Sequence, residues 1–154
     1  MDRPQRKMEE IQCLTAHVTI NGVKAYALFD SGSTTDAMSP EFAKVAKMPL
    51  YTLERPMTLK LGCVGSKSKI NFGMKAKAHF AGQSTEEYFD IANIDQYDII
   101  LGIPYMHKNG IVLDIPAQEI VVRGTLHMPP ILRGEERLEE KKIFKQNGRT
   151  KRPK

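Results

Sequence analysis

Ala27-Leu28-Phe29-Asp30-Ser31-Gly32-Ser33 is an apolar run that stops abruptly on an acid, two hydroxyls and a glycine. An Asp-Ser-Gly triplet by itself usually marks only a turn, because these residues favour tight bends. Here it closes a strand-like segment, Val23 to Phe29, which predicts that Asp30 emerges at a buried strand end. Gly32 permits a tight turn and lets its N–H approach a carboxylate. The hydroxyls of Ser31 and Ser33 can orient or stabilise the acid.

Upstream, Leu14, Ala16, Val18 and Ile20 alternate with Thr15, His17 and Thr19, the period of a half-buried strand with His17 on its exposed face. Asn21-Gly22 joins this segment to the next as a hairpin, since both residues accept positive φ. Downstream, Ser39-Pro40-Glu41 reads as an N-cap with proline at the first helical position, and Phe42, Val45 and Ala46 give a short helix its apolar face. Alternation resumes at Met57 and runs to a glycine-bearing loop, Gly62-Cys63-Val64-Gly65-Ser66. It continues from Ile70 to Phe80, so a projecting hairpin is expected. Ala81 to Ser84 turns the chain toward a further strand over 86–94.

Asp98-Ile99-Ile100-Leu101-Gly102 is a short continuous apolar run, the mark of a strand buried on both faces. One helical turn over 103–109 and a hairpin of Val112–Ile115 with Glu119–Val122 follow. The expected organisation is an extension over 1–11, a mostly β domain over 12–124, and a basic, flexible tail over 125–154.

The formal charge of +5 lies entirely in that tail. Residues 1–124 hold 14 Lys/Arg and 14 Asp/Glu, whereas residues 125–154 hold 9 and 4. The neutral core is therefore not expected to bind nucleic acid, and the tail is left with at most a weak contact to phosphates. Two cysteines make no disulfide framework, and His17, His79, His107 and His127 stand apart from any metal-ligand spacing, so no metal and no cofactor is expected. Residues 1–10 are charged, and no apolar run approaches the roughly 20 residues that span a bilayer. The expectation is a cytoplasmic protein with reduced thiols and no membrane partner.

Peptide hydrolysis by carboxylates needs two acids close enough to share one proton, one activating water and the other polarising the scissile carbonyl. Asp-Ser-Gly occurs once in this chain. A partner acid must then come from a second copy across a two-fold axis.

Taken together, Leu28-Phe29-Asp30-Ser31-Gly32-Ser33, the glycine-bearing hairpin and Ile99-Ile100-Leu101-Gly102 resemble, in that order, the retropepsins. These are the aspartic proteinases of retroviruses and LTR retrotransposons, and the likeness is closest to gypsy-class elements. The resemblance spans residues 12–124. It implies an all-β, retropepsin-like acid-protease fold, with one half-barrel per chain, a flap hairpin and one or two short helices. It also implies a homodimeric aspartic endopeptidase that cleaves extended segments of its own polyprotein. Asp30 would be the catalytic acid, Ser31 would bridge the subunits, Gly32 would offer its N–H to the carboxylate or substrate, and Ser33 would bond the outer carboxylate oxygen. Ile100, Leu101 and Gly102 would pack beneath the loop, and Gly62, Cys63, Val64, Gly65 and Ser66 would form the flap. The chain departs from the family in carrying serine at position 31 where threonine is common, few glycines in the flap, and Tyr105 where a tryptophan often stands. Two alternatives remain open at this level: a catalytically inactive domain of this fold that dimerises or binds peptides, and nucleic-acid binding through the tail. A phosphorylation-dependent recognition motif over 30–35 is disfavoured, because it needs an exposed, flexible segment.

Overall fold

The computed structural model describes residues 1–47, 49–60 and 67–131, with backbone only at 57–60 and 67–68. A short helix, α1 (Met8–Ile11), precedes the paired strands β1 (Thr15–Ile20) and β2 (Val23–Phe29). Asn21 (φ 48°) and Gly22 (φ 81°) make the two-residue turn between them, both in the left-handed region that a tight hairpin demands. Then follow β3 (Ala37–Met38), α2 (Pro40–Ala46), β4 (Tyr51–Lys60), β5 (Lys67–Phe80), β6 (Gln83–Ile91), β7 (Ile99–Leu101) and α3 (Ile103–Lys108). A separate three-stranded sheet holds β8 (Ile111–Asp114), β9 (Glu119–Val122) and β10 (Leu126–Met128).

The large sheet runs β1-β2-β7-β3-β6-β5-β4, and β1 also pairs with β5 through Thr19↔His79 and Ile20↔Ala78. Six strands therefore close into a ring, and β4 hangs from β5 as an outer strand. Both neighbours of β7 flank the Asp30 loop in sequence: β2 lies parallel to it and β3 antiparallel. Side chains alternate along β7, so Ile99 and Leu101 enter the main core while Ile100 joins a second cluster with Leu28, Ala37, Ile70, Ala92 and Ile94. This two-sided burial is why the run at 99–101 carries no polar residue.

Several details differ from the sequence expectation. On α2 the buried residues are Phe42, Ala43 and Ala46, whereas Val45 is 54% exposed. At 100° per residue, positions 42, 46 and 43 share one arc and 45 falls outside it. The Ser39 cap is present, with Oγ accepting from Phe42 N–H at 3.1 Å. β6 begins at Gln83 and not at 86, because Ala81 and Gly82 both take positive φ and complete the turn in two residues. β4 begins at Tyr51, and its register slips between Thr52 and Met57. That slip houses Pro56, which has no N–H to give and is tolerated on an outer strand. His17 is half-buried and lies edge-on to Tyr26, its cross-strand neighbour, at 6.2 Å. Strand pairing also passes residue 124, for β10 pairs with β9. Ile131 N–H then donates to Thr15 O at 3.0 Å, and Ile131 O accepts from the Thr15 hydroxyl at 3.2 Å.

Leu28 is fully buried one residue before the turn that carries Asp30. Replacing it by alanine leaves a cavity in the second cluster and is expected to cost about 2–5 kcal/mol, whereas Val45→Ala is expected to cost less than about 0.5 kcal/mol as a surface change. Urea unfolding of the two variants checks the difference.

Candidate active site

Asp30 follows β2 directly and is 8% exposed. Its backbone N–H donates to Leu101 O at 2.9 Å, which ties the end of β2 to β7. The carboxylate oxygen Oδ1 accepts from Gly32 N–H at 2.9 Å, and Ser33 N–H closes the turn onto Asp30 O at 3.1 Å. Two residues of turn thus bring a backbone donor onto the acid and orient it.

Ser31 is exposed and lines an open cavity of about 420 Å³ with Ile103, Met106, His107, Leu113 and Ile115. That cavity lies between α3 and β8. Ser33 is buried, and its hydroxyl donates to Thr35 O at 2.7 Å. A hydroxyl has one proton, so in this arrangement Ser33 braces its own loop and does not donate to the outer oxygen of Asp30.

The expected packing residues lie directly against the loop. Ile103 N–H donates to Ser33 O at 2.9 Å, and Gly102 N–H donates to Asp36 Oδ1 at 2.8 Å. A side chain at Gly102 would collide with the carbonyl oxygens of Thr35 and Ser33. Its φ of −101° is ordinary, so glycine is needed here for close approach and not for an unusual backbone angle. Tyr105 is buried and meets the Phe29 ring edge-on at 6.4 Å, so an aromatic does fill the space below the active loop. Burial, with Glu87 and Asp36 nearby, pushes its phenol up from its ordinary value. The expected flap tip, Gly62, Cys63, Val64, Gly65 and Ser66, lies outside the described residues; the strands beside it pair up to Lys60↔Lys67.

Three further acids stand behind the loop, and no local sequence pattern singles them out. Asp36 is 3% exposed and accepts from Gly102 N–H and, at 3.3 Å, from Tyr105 N–H. Asp90 accepts from the Thr35 hydroxyl at 2.6 Å and from the Tyr88 hydroxyl at 2.8 Å. Glu87 is buried beside Lys108, with Nζ to Oε2 at 3.3 Å. Burial pushes the Tyr88 phenol up, and the bond to Asp90 and the charge there add to it. Among the described residues no group of three or more His, Cys, Asp or Glu could hold a metal ion, and no helix is long and apolar enough to cross a membrane.

A closed β ring whose single Asp-Ser-Gly turn sits on a hydrophobic-hydrophobic-Gly strand defines a retropepsin-like fold. The solved structures agree. The retroviral protease-like domain of Ddi1 from Leishmania major aligns over 81% of this chain and 98% of its own, at 17% identity and a TM-score of 0.64. The EIAV protease, solved in complex with the inhibitor HBY-793, aligns over 65% of this chain and 90% of its own, at 22% identity and a TM-score of 0.50. No curated protein matches the chain. The retroviral aspartyl protease family matches residues 5–126, and the chain belongs to that family.

Gly102→Ala forces the Cβ into two carbonyl oxygens and is expected to destabilise the fold by about 1–3 kcal/mol or more, as overpacking does. Thermal unfolding with circular dichroism checks this, and a variant as stable as the parent would contradict the packing described.

Proposed function

We propose that this protein is an aspartic endopeptidase that acts as a homodimer, with one Asp30 from each copy forming the catalytic pair. The observation that carries this reading is the setting of Asp30: a nearly buried acid, aimed by Gly32, beside a residue that opens on an apolar surface. The other acids near the loop are committed to Gly102, Tyr105, Thr35, Tyr88 and Lys108, so a second reactive carboxylate must be sought in another copy.

Two carboxylates in contact resist double ionisation and share one proton, so they titrate as a pair. The ionised member takes a proton from a water molecule while the protonated member bonds the scissile carbonyl oxygen. Water oxygen adds to the carbonyl carbon and gives a tetrahedral diol. The proton then passes to the peptide nitrogen, the C–N bond breaks, and an acid and an amine leave. A substrate lying as an extended strand between the copies presents its carbonyl to both acids and sets its side chains on alternate faces. Segments of the polyprotein that carries this chain are the natural substrates in this reading, and the retrotransposon-type motif order supports it.

The surface beside Ser31 suits a second copy. Ile103 and Ile115 are 46% and 56% exposed on the wall of the Ser31 cavity, an apolar rim that association would cover.

Asp30→Asn is expected to abolish cleavage of a casein-type or self-derived peptide while leaving the dimer intact. Equal activity in the variant would sink the catalytic assignment and leave a peptide-binding or dimerisation domain. Ile103→Asp with Ile115→Asp places charge in the rim and is expected to weaken dimerisation about tenfold or more. Sedimentation velocity of the Asp30→Asn protein, with and without the two rim changes, reads this directly.

A further inference from the structure

Asp36 has no place in the motif that defines the family resemblance, yet it is the most deeply held carboxyl group near the active loop. It stands at the far end of the segment that begins with Asp30. One of its oxygens, Oδ1, takes both the Gly102 and the Tyr105 N–H groups, which lie at the start of α3. Asp30 fixes one end of the loop to β7 through Leu101 O, and Asp36 fixes the other end one residue further along the same chain segment. The loop is therefore pinned at both ends to residues 101–105.

We propose that Asp36 is a positioning residue for Asp30, clamping the active loop to the start of α3 with a hold that weakens when negative charge builds up among Asp36, Glu87 and Asp90. The inference rests on the reading of Asp30 as the reacting acid.

The groups facing Asp36 are lopsided in charge. β6 contributes Glu87 and Asp90, whose charges act on Asp36, together with the Tyr88 hydroxyl. α3 contributes Tyr105, and Lys108 as the cation nearest to Glu87. Lys75 of β5 and Glu86 stand on the wall of an open cavity of about 360 Å³ that Asp36 also lines. The cavity gives protons a way to a side chain that is otherwise enclosed. Placing both N–H donors on Oδ1 leaves Oδ2 free to carry a proton, so the neutral acid keeps the clamp whole.

Burial, the largest effect, and the charges of Glu87 and Asp90 push the Asp36 carboxyl from 3.8 up to about 7, against the pull of its two backbone donors. In an opened loop the acid returns toward its ordinary range. Opening therefore releases a proton between these two pH values, and the closed loop loses stability as pH rises through that window.

The test is amide exchange by NMR on the full chain carrying Asp30→Asn, which prevents self-cleavage and keeps an acceptor for Gly32. After correction for intrinsic rates, protection of the Gly102 N–H should fall between pH 5 and pH 7, approaching tenfold per pH unit, the limit for one linked proton. With Asp36→Asn added, that extra fall should vanish, since asparagine keeps the acceptor and cannot ionise. The same pH dependence in both proteins would overturn the proposal. If Asp36→Asn does not fold, the side-chain carboxyl carbon of Asp36 decides in the intact chain: titration near neutrality supports the clamp, and titration near pH 4 refutes it. The activity profile supplies a readout that a purely structural role would leave still. Normalised to its own maximum, Asp36→Asn should carry its alkaline limb to higher pH, and an unmoved limb counts against positioning. The exchange arm needs no hydrolysis, so a chain that never cleaves peptide would sink the proteinase reading while Asp36 is still judged on its own amides.

Discussion

Gly102 packs against the loop that carries Asp30 so closely that no side chain fits between them. Leu101 O takes the Asp30 N–H, Gly102 N–H goes to Asp36, and Ile103 N–H goes to Ser33 O. Three consecutive residues thus pair with both ends and the middle of a loop some seventy positions earlier. A buried loop must satisfy its backbone polar groups or lose the cost of desolvating them. This one does so on a strand end that has no side chain to stand in the way. Any residue larger than glycine at 102 would lift the loop and move the acid with it.

That joint is only as firm as the strand behind it. β7 is three residues long, too short to be stable alone, but it lies between β2 and β3 and is buried on both faces. Its neighbours are the two segments that flank the active loop, so the loop's entry, exit and floor belong to one sheet. Catalytic groups need placement to within a fraction of an ångström, and rigid strands give it better than free loops do. The second cluster, with Leu28 and Ile100 at its centre, fills the side of β2 and β7 that the main core leaves. Without it β7 would have a wet face, and the joint would open to water.

Features set by local pattern were legible in the sequence. Alternation gave β1, the apolar run ending at Asp30 gave β2, Asn21-Gly22 gave their turn, Ser39-Pro40 gave the start of α2, and the unbroken apolar run gave β7. Features made by distant partners were not. β3 is two residues long and is a strand only because β6 and β7 lie beside it. Val45 has the spacing of a core residue, but the sheet meets the other side of its helix. β10 lies past the hairpin where the chain reads as a polar tail, and it exists by pairing with β9. Ser33 could have turned to Asp30, yet the carbonyl of Thr35 takes its proton. Asp36 is the extreme case: its neighbours come from β6 and α3, more than fifty residues away, and nothing beside it in the chain announces burial.

The loop from 30 to 36 therefore answers two opposed demands. Toward its own chain the loop is held at several points: Asp30 by Leu101 and Gly32, Ser33 by Thr35 and Ile103, Thr35 by Asp90, Asp36 by Gly102 and Tyr105. Toward solvent Ser31, Gly32 and Thr34 are exposed, and Ser31 opens on a surface with exposed Ile103 and Ile115 that water wets poorly. An acid meant to act singly would gain nothing from this division, since the apolar rim adds only a liability to aggregate. An acid meant to meet its own copy needs both halves, a rigid inner side so that two loops arrive in fixed register, and an adhesive outer side so that they arrive at all. The asymmetry of the loop is thus the strongest physical reason for reading the single Asp30 as half of a site.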